Sequence, residues 1–376
     1  MRTLFPLLLL SLLPLLSSSC SATPVDPEEI VRGSWVHYKR TFITEGRVVR
    51  PQNSNDTVSE GEAYAMLRAV LMDDRKTFDE CLAWSEATLS RKESHGDDLL
   101  AWHFENGRVS DSTAASDADI DYAYSLLLAW RTWQESRYLD LARKVLQSIL
   151  DKETVLVNNR LYLLPWPAGE GGSTPPDSTP QNPSYYAPSH FRLFYAVTGD
   201  KRWMELVDTT YELLGRLQKS NDNPGLVPDW CALDMQENII PMPGKKRVYG
   251  WDAVRVPLRV AADYRLNDDH RALQVLRIFS EFFEREFREN GKIVTGYSGS
   301  DATKSSMENP LFYAAAYAAT EASDSPIAPE MLQRVRDFIH QNSDEYYYNE
   351  ANDYYVNSLV WLTEYFQITK KTATND

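Results

Sequence analysis

Three acidic clusters stand where apolar-periodic segments begin, and their residue types could do proton chemistry. The first is Thr57-Val58-Ser59-Glu60-Gly61-Glu62-Ala63-Tyr64, the second Ala115-Ser116-Asp117-Ala118-Asp119-Ile120-Asp121, and the third Tyr249-Gly250-Trp251-Asp252-Ala253-Val254-Arg255. Ser59 and Glu62 match a capping box, which leaves Glu60 at the first helical position without capping duty. Ser116 is placed to cap the second helix, with Asp117 at its first position. Asp252 and Arg255 share one face of a helical turn. They form either a plain ion pair or a carboxylate held ionised and oriented by a cation. Two carboxylates in different environments are what glycoside hydrolysis needs, one protonated and one ionised. A helix N-terminus favours ionisation, which would spoil Glu60 as a proton donor. Asp117 close by would reverse that, because like charges sharing a site raise one pKa. Acids are also common at helix starts for dipole reasons alone, so spacing by itself leaves a purely structural reading open.

Other chemistries find less support. The histidines at 37, 95, 103, 190, 270 and 340 show no HExxH or other close metal spacing. No GxSxG, Walker or GxGxxG motif occurs, and the Asp-rich stretches lack the glycine of a calcium loop. No metal or cofactor is expected. Aromatics gather around the acids instead: Tyr64, Trp102, Trp166, Tyr185, Trp230 and Trp251. Flat faces with a polar edge stack well on sugar rings. Trp102 and Trp166 are predicted in loops beside a cleft, whereas mid-helix Trp84 and Trp130 read as core.

The elements that would position these residues are helices. Apolar residues recur at three- and four-residue spacing in 60–72, 77–90, 117–133, 138–151, 188–198, 201–218, 252–264, 268–288, 308–320, 328–341 and 354–368. Strand signals are scarce, with 155–164 the exception. Pro165–Pro188 is predicted as a long irregular loop of functional size. Polar or aromatic helix starts recur at Glu60, Asp117, Tyr185, Asp252, Glu308 and Asn352, with two helices to each interval. That rhythm predicts an all-α toroid of six helix pairs with its polar starts on one face. Small residues such as Ala314-Ala315-Ala316 would line its tightly packed inside.

Composition bounds the rest. The chain has 376 residues, 12% of them aromatic, and a formal net charge of −15. The charge argues against a nucleic-acid partner, which needs a basic face. Met1-Arg2-Thr3, the apolar run Phe5–Leu16 and Ser17-Ser18-Ser19-Cys20 have the layout of an export signal. Residues 1–20 are therefore read as the export signal, with Cys20 as the mature N-terminus where it is lipidated. The product is expected in the periplasm, lipid-anchored to the outer membrane through Cys20, or secreted. Cleavage after Ala22 is the alternative to lipidation. Cys81 and Cys231 then remain, as a disulfide or as two buried thiols.

Four ordered motifs resemble glycoside hydrolase family 8. They are Ser59-Glu60-Gly61-Glu62-Ala63-Tyr64-Ala65-Met66-Leu67, Ala115-Ser116-Asp117-Ala118-Asp119, Asn182-Pro183-Ser184-Tyr185-Tyr186-Ala187-Pro188 and Trp251-Asp252-Ala253-Val254-Arg255-Val256-Pro257. Tyr38–Val48 and Leu226-Val227-Pro228-Asp229-Trp230 look most like the endoglucanases encoded with bacterial cellulose synthases. The resemblance implies a single (α/α)6 barrel over 21–376 and inverting hydrolysis of a β-linked polysaccharide. Glu60 would be the general acid and Asp252 the general base. Asp117 would bind and distort the sugar at the cleavage point. Tyr185 and Arg255 would support base and water, and Trp102 would stack a sugar. Trp166, Tyr64 and Trp251 complete the expected substrate contacts. Ala118 stands where many members have glycine, and Glu62 where the cellulose-operon relatives tend to have glutamine. The expected activity is an endo-β-1,4-glucanase on cellulose or a related exopolysaccharide. Xylan, chitosan and another exopolysaccharide are the alternative substrates. A weakly active binding module in a polysaccharide synthesis or export assembly is the alternative outside enzymes.

Overall fold

A computed structural model describes residues 26–171, 177–220, 225–298 and 305–373. The expected export signal and Cys20 lie outside them. Among the described residues the chain is mostly helical. The helices are α1 Pro27–Phe42, α2 Ser59–Leu71, α3 Arg75–Thr88, α4 Lys92–His95, α5 Ser116–Trp133, α6 Ser136–Lys152 and α7 Pro188–Thr198. They continue with α8 Arg202–Gln218, α9 Arg255–Asn267, α10 His270–Asn290, α11 Pro310–Ala322, α12 Ala328–Arg336, α13 Tyr354–Leu359 and α14 Trp361–Ala373.

Two kinds of helix follow from two kinds of sequence. In α11 every residue from Pro310 to Thr320 is buried. Its alanines let neighbouring backbones approach, and an element apolar all round must be enclosed. In α6 only a stripe is buried, through Tyr138, Ala142, Val145, Leu146, Ile149 and Leu150, and the other face carries charge. The enclosed helices touch in succession. α2 packs on α5, α5 on α7, α7 on α9, α9 on α11, α11 on α13, and α13 back on α2. The striped helices α3, α6, α8, α10 and α12 pack against members of that succession. α1, which the periodicity did not mark, packs on α14 and α13. Buried Arg68 ties this joint. It donates to Ser34 Oγ and to the Asn357 carbonyl, and its guanidinium lies 4.5 Å from the Trp361 ring.

Several boundaries depart from the expectation. Helix 328–341 stops at Arg336, because Ile339–Asn342 turns back and pairs with Glu345–Tyr348 through Ser343 at positive φ. Segment 354–368 divides at Val360 into α13 and α14. Strands are more numerous than expected, in six small antiparallel sheets among the described residues. They are too short for alternation to show, with several only two residues long. Neither predicted serine caps its helix. Ser59 and Ser116 are already helical, with Val58 and Ala115 as caps. The Ser116 hydroxyl donates instead to the Leu164 carbonyl, and Glu62 accepts from the Val48 N–H at 2.7 Å. Cys81 and Cys231 are buried free thiols.

Two sheets position the acids. Thr57–Val58 and Arg108–Ala114 flank Ala101–Glu105 in one sheet, and these outer strands run directly into α2 and α5. Glu60 and Asp117 are therefore delivered by the two outer strands of one sheet. Ser178–Gln181, within the predicted irregular loop, pairs with Cys231–Asp234 and so holds Tyr185 near Trp230.

Candidate active site

Arg255, the first residue of α9 and almost fully buried, is the hub. Its Nη1 donates to Asp117 Oδ2 at 2.7 Å and to the Tyr64 hydroxyl at 3.1 Å, and lies 3.6 Å from Glu60 Oε2. Its Nη2 donates to Ser184 Oγ at 2.8 Å and to Asp252 Oδ1 at 3.2 Å. The guanidinium also lies 5.2 Å from the Tyr185 ring centre. Arg recognises several acceptors at once because its donors form a rigid planar fork. One side chain thus gathers the three acids that the sequence placed on three separate helix starts. Asp252 lies in the turn before α9 rather than within the helix, so the pair with Arg255 spans the helix entrance.

The acids differ in environment. Asp117 is sealed in, with 4% of its side chain exposed, whereas Glu60 and Asp252 keep 24% and 32%. Burial lifts the Glu60 carboxyl to about 7, and the charge of Asp117 and then Asp252 adds to it. Arg255 and Arg50 pull the other way and do not cancel the rise. Glu60 therefore keeps its proton near neutrality, which a general acid requires. Asp252 accepts with both oxygens, Oδ1 from Arg255 and Oδ2 from the Trp230 indole N–H at 2.8 Å. That arrangement suits a carboxylate that receives a proton from water. Among the described residues no cluster of acids, histidines or cysteines is arranged to hold a metal ion.

A second charged layer lies beneath. Arg259 makes a two-pronged pair with Asp121 at 2.8 and 2.9 Å, and His190 Nε2 sits 3.3 Å from the same carboxylate. Burial opposes the charge on Asp121, but Arg259 and His190 hold its pKa well below the usual range. On the far side of Arg255 is a cavity of about 710 Å³, walled by Leu67, Leu128, Leu258 and Phe366. Arg255 and Tyr64 line it, whereas Glu60, Asp117 and Asp252 do not.

The expected aromatic contacts divide by role. Trp102 is on strand Ala101–Glu105 rather than in a loop, stacked on His103 with ring centres 4.7 Å apart. His103 continues through Asp56 to Arg50, linking that sheet to the charge around Glu60. Trp166 lies 5.9 Å from Trp230, and Tyr185 meets Trp230 edge-on at 6.0 Å. These three rings form one wall. Trp251 is 40% exposed and braced by Phe312 and Tyr355. Tyr64 is buried, so it offers Arg255 a hydroxyl rather than a sugar a face. Motif reading assigned nothing to Ser184, Asp229 or Arg259. Ser184 had a local signal, since Asn182 forms a turn that accepts from its N–H and hydroxyl.

Comparison with known proteins identifies the family and the fold. A family model described as Glycosyl hydrolases family 8 matches residues 1–359. Endoglucanase A of Acetivibrio thermocellus is 30% identical over 347 residues, 89% of this chain and 68% of that protein. Endoglucanase C of Ruminiclostridium cellulolyticum is 32% identical over 304 residues, 77% of this chain and 62% of that protein. The crystal structure of endo-1,4-D-glucanase from Vibrio fischeri ES114 superposes with a TM-score of 0.75 at 26% identity, covering 90% of this chain and 94% of that one.

Proposed function

The chain belongs to family 8 of the glycosyl hydrolases, a glycoside hydrolase of the endoglucanase kind, and from that premise we propose that it cuts β-1,4-glucan internally with inversion at the anomeric carbon. The observation that carries the mechanism is the unequal pair of carboxyls on one guanidinium. Glu60 donates its proton to the leaving glycosidic oxygen. Asp252 takes a proton from a water that attacks the opposite face of the sugar. Asp117, paired with Arg255, holds the sugar at the cleavage point, and its charge helps keep Glu60 protonated. Trp166, Trp230 and Trp102 offer the faces on which the polymer lies.

In this reading residues 21–376 form one (α/α)6 barrel, which the closing succession of enclosed helices supports. Residues 1–20 direct export. Cys20 lipidation and association with a polysaccharide synthesis or export system belong to the same proposal. The experiment is hydrolysis of a soluble cellulose derivative by the parent and by Glu60→Gln. Rate loss of at least about 1,000-fold is expected, because leaving-group protonation disappears. Proton NMR of the first products should show the α-anomer. A β-anomer formed first, or unchanged activity of the variant, contradicts the reading. Reducing-sugar release from cellulose, xylan and chitosan compares the substrates directly.

A further inference from the structure

Trp230 and its neighbour Asp229 grip the Asp252 turn from two sides. Asp229 Oδ1 accepts from the backbone N–H groups of Gly250, Asp252 and Ala253, at 2.9, 3.2 and 2.8 Å. Its own N–H donates to the Val248 carbonyl at 2.7 Å. The approach is so close that a Cβ on Gly250 would stand 2.6 Å from Asp229 Oδ2. Asp229 therefore sets the peptide that carries Asp252. The Trp230 indole then sets the carboxylate itself, donating to Oδ2 while Arg255 holds Oδ1. A carboxylate pinned through both oxygens has lost its rotation about the last bond. Its remaining lone pairs point in a fixed direction.

We propose that Trp230 is a positioning residue for the base. Its N–H fixes the Asp252 carboxylate toward the attacking water, while its ring belongs to the sugar-binding wall with Trp166. The packing of that ring against Trp166 and Tyr185, with Lys245 Nζ 4.7 Å from its centre, makes the donor rigid. A donor held by a wall costs no reorganisation when the reaction occurs.

This inference rests on Asp252 being the base. Asp252→Asn is measured first on soluble cellulose derivative. If it keeps parental activity, the functional reading falls and this inference with it. With Asp252→Asn inactive, Trp230→Phe decides the inference, since it keeps a flat ring and removes the N–H. The expected result is a kcat lower by about 10- to 100-fold with KM within about twofold. Benzothienylalanine at position 230 keeps the indole shape without its N–H and should lower kcat to the same extent. Parental kcat in either variant overturns the inference, because a loss confined to the Phe variant is what a packing role gives. So does a raised KM with kcat unchanged, which is what a sugar-stacking role alone gives.

Discussion

At the residue scale, the proposed function rests on how one proton is held. Glu60 is lifted to about 7, with burial the largest cause and Asp117 the next. Donation needs the protonated form, so kcat/KM is expected to fall as pH rises through about 7. In Asp117→Asn the second cause is gone. The descending limb of the residual activity should then move toward acid, and a pH–rate series on soluble polymer checks both statements. Arg255→Lys tests the hub. An ammonium is a point charge and cannot reach Asp117, Ser184 and Asp252 together. We expect kcat to fall by about 100-fold or more, with the fold retained by circular dichroism. The acids themselves were legible in the sequence because each stands at the start of an amphipathic segment. Ser184 and Asp229 were not, since a loop residue acquires its partner only when distant elements meet.

At the element scale, the start of α2 carries two lessons. Gly61 sits beside Glu60, and a Cβ there would meet the Tyr354 hydroxyl at 2.7 Å. Tyr354 is buried at the start of α13 and cannot move aside. Gly61→Ala should therefore destabilise by about 1–3 kcal/mol and lower kcat by displacing Glu60. Urea unfolding and steady-state kinetics measure the two effects separately. Ser59 looked like the cap of this helix, yet its buried hydroxyl has no hydrogen-bond partner among the described residues. Ser59→Ala is expected to change stability by less than about 0.5 kcal/mol, where loss of a true cap costs about 1 kcal/mol. The motif read correctly as a helix start and wrongly as a capping box. Local spacing cannot reveal that Val48, arriving from another strand, claims Glu62. The same limit explains the missed sheets. Their strands are held by pairing across the chain, as between Gln181 and Cys231, and not by an alternation of their own.

At the scale of the whole molecule, enclosing carboxyls among packed helices has a thermodynamic consequence. Glu62 and Asp119 are fully buried, and burial raises both to about 8. Well below the unfolded values of about 4, the groups are protonated in folded and unfolded chains alike, and stability does not vary with pH through them. Between about pH 4 and 8 the unfolded chain has released protons that the folded one still holds, so stability falls as pH rises. The unfolding free energy in urea should decline from pH 5 to 8. Glu62→Gln keeps an acceptor for Val48 and should lessen that decline.

The sequence by itself determined the helical class, the helix starts that carry Glu60 and Asp117 and the aromatic surplus around them; that Asp252 sits in a turn before its helix came from the structure. Helix periodicity and residue type are local, so one strand of text contains them. Only the tertiary structure decided which acid keeps its proton and which side chain each acid shares. Arg255 is 138 residues from Asp117 and 191 from Tyr64. A pKa is set by burial and by charges through space, and neither exists until the ring of helices brings those residues together.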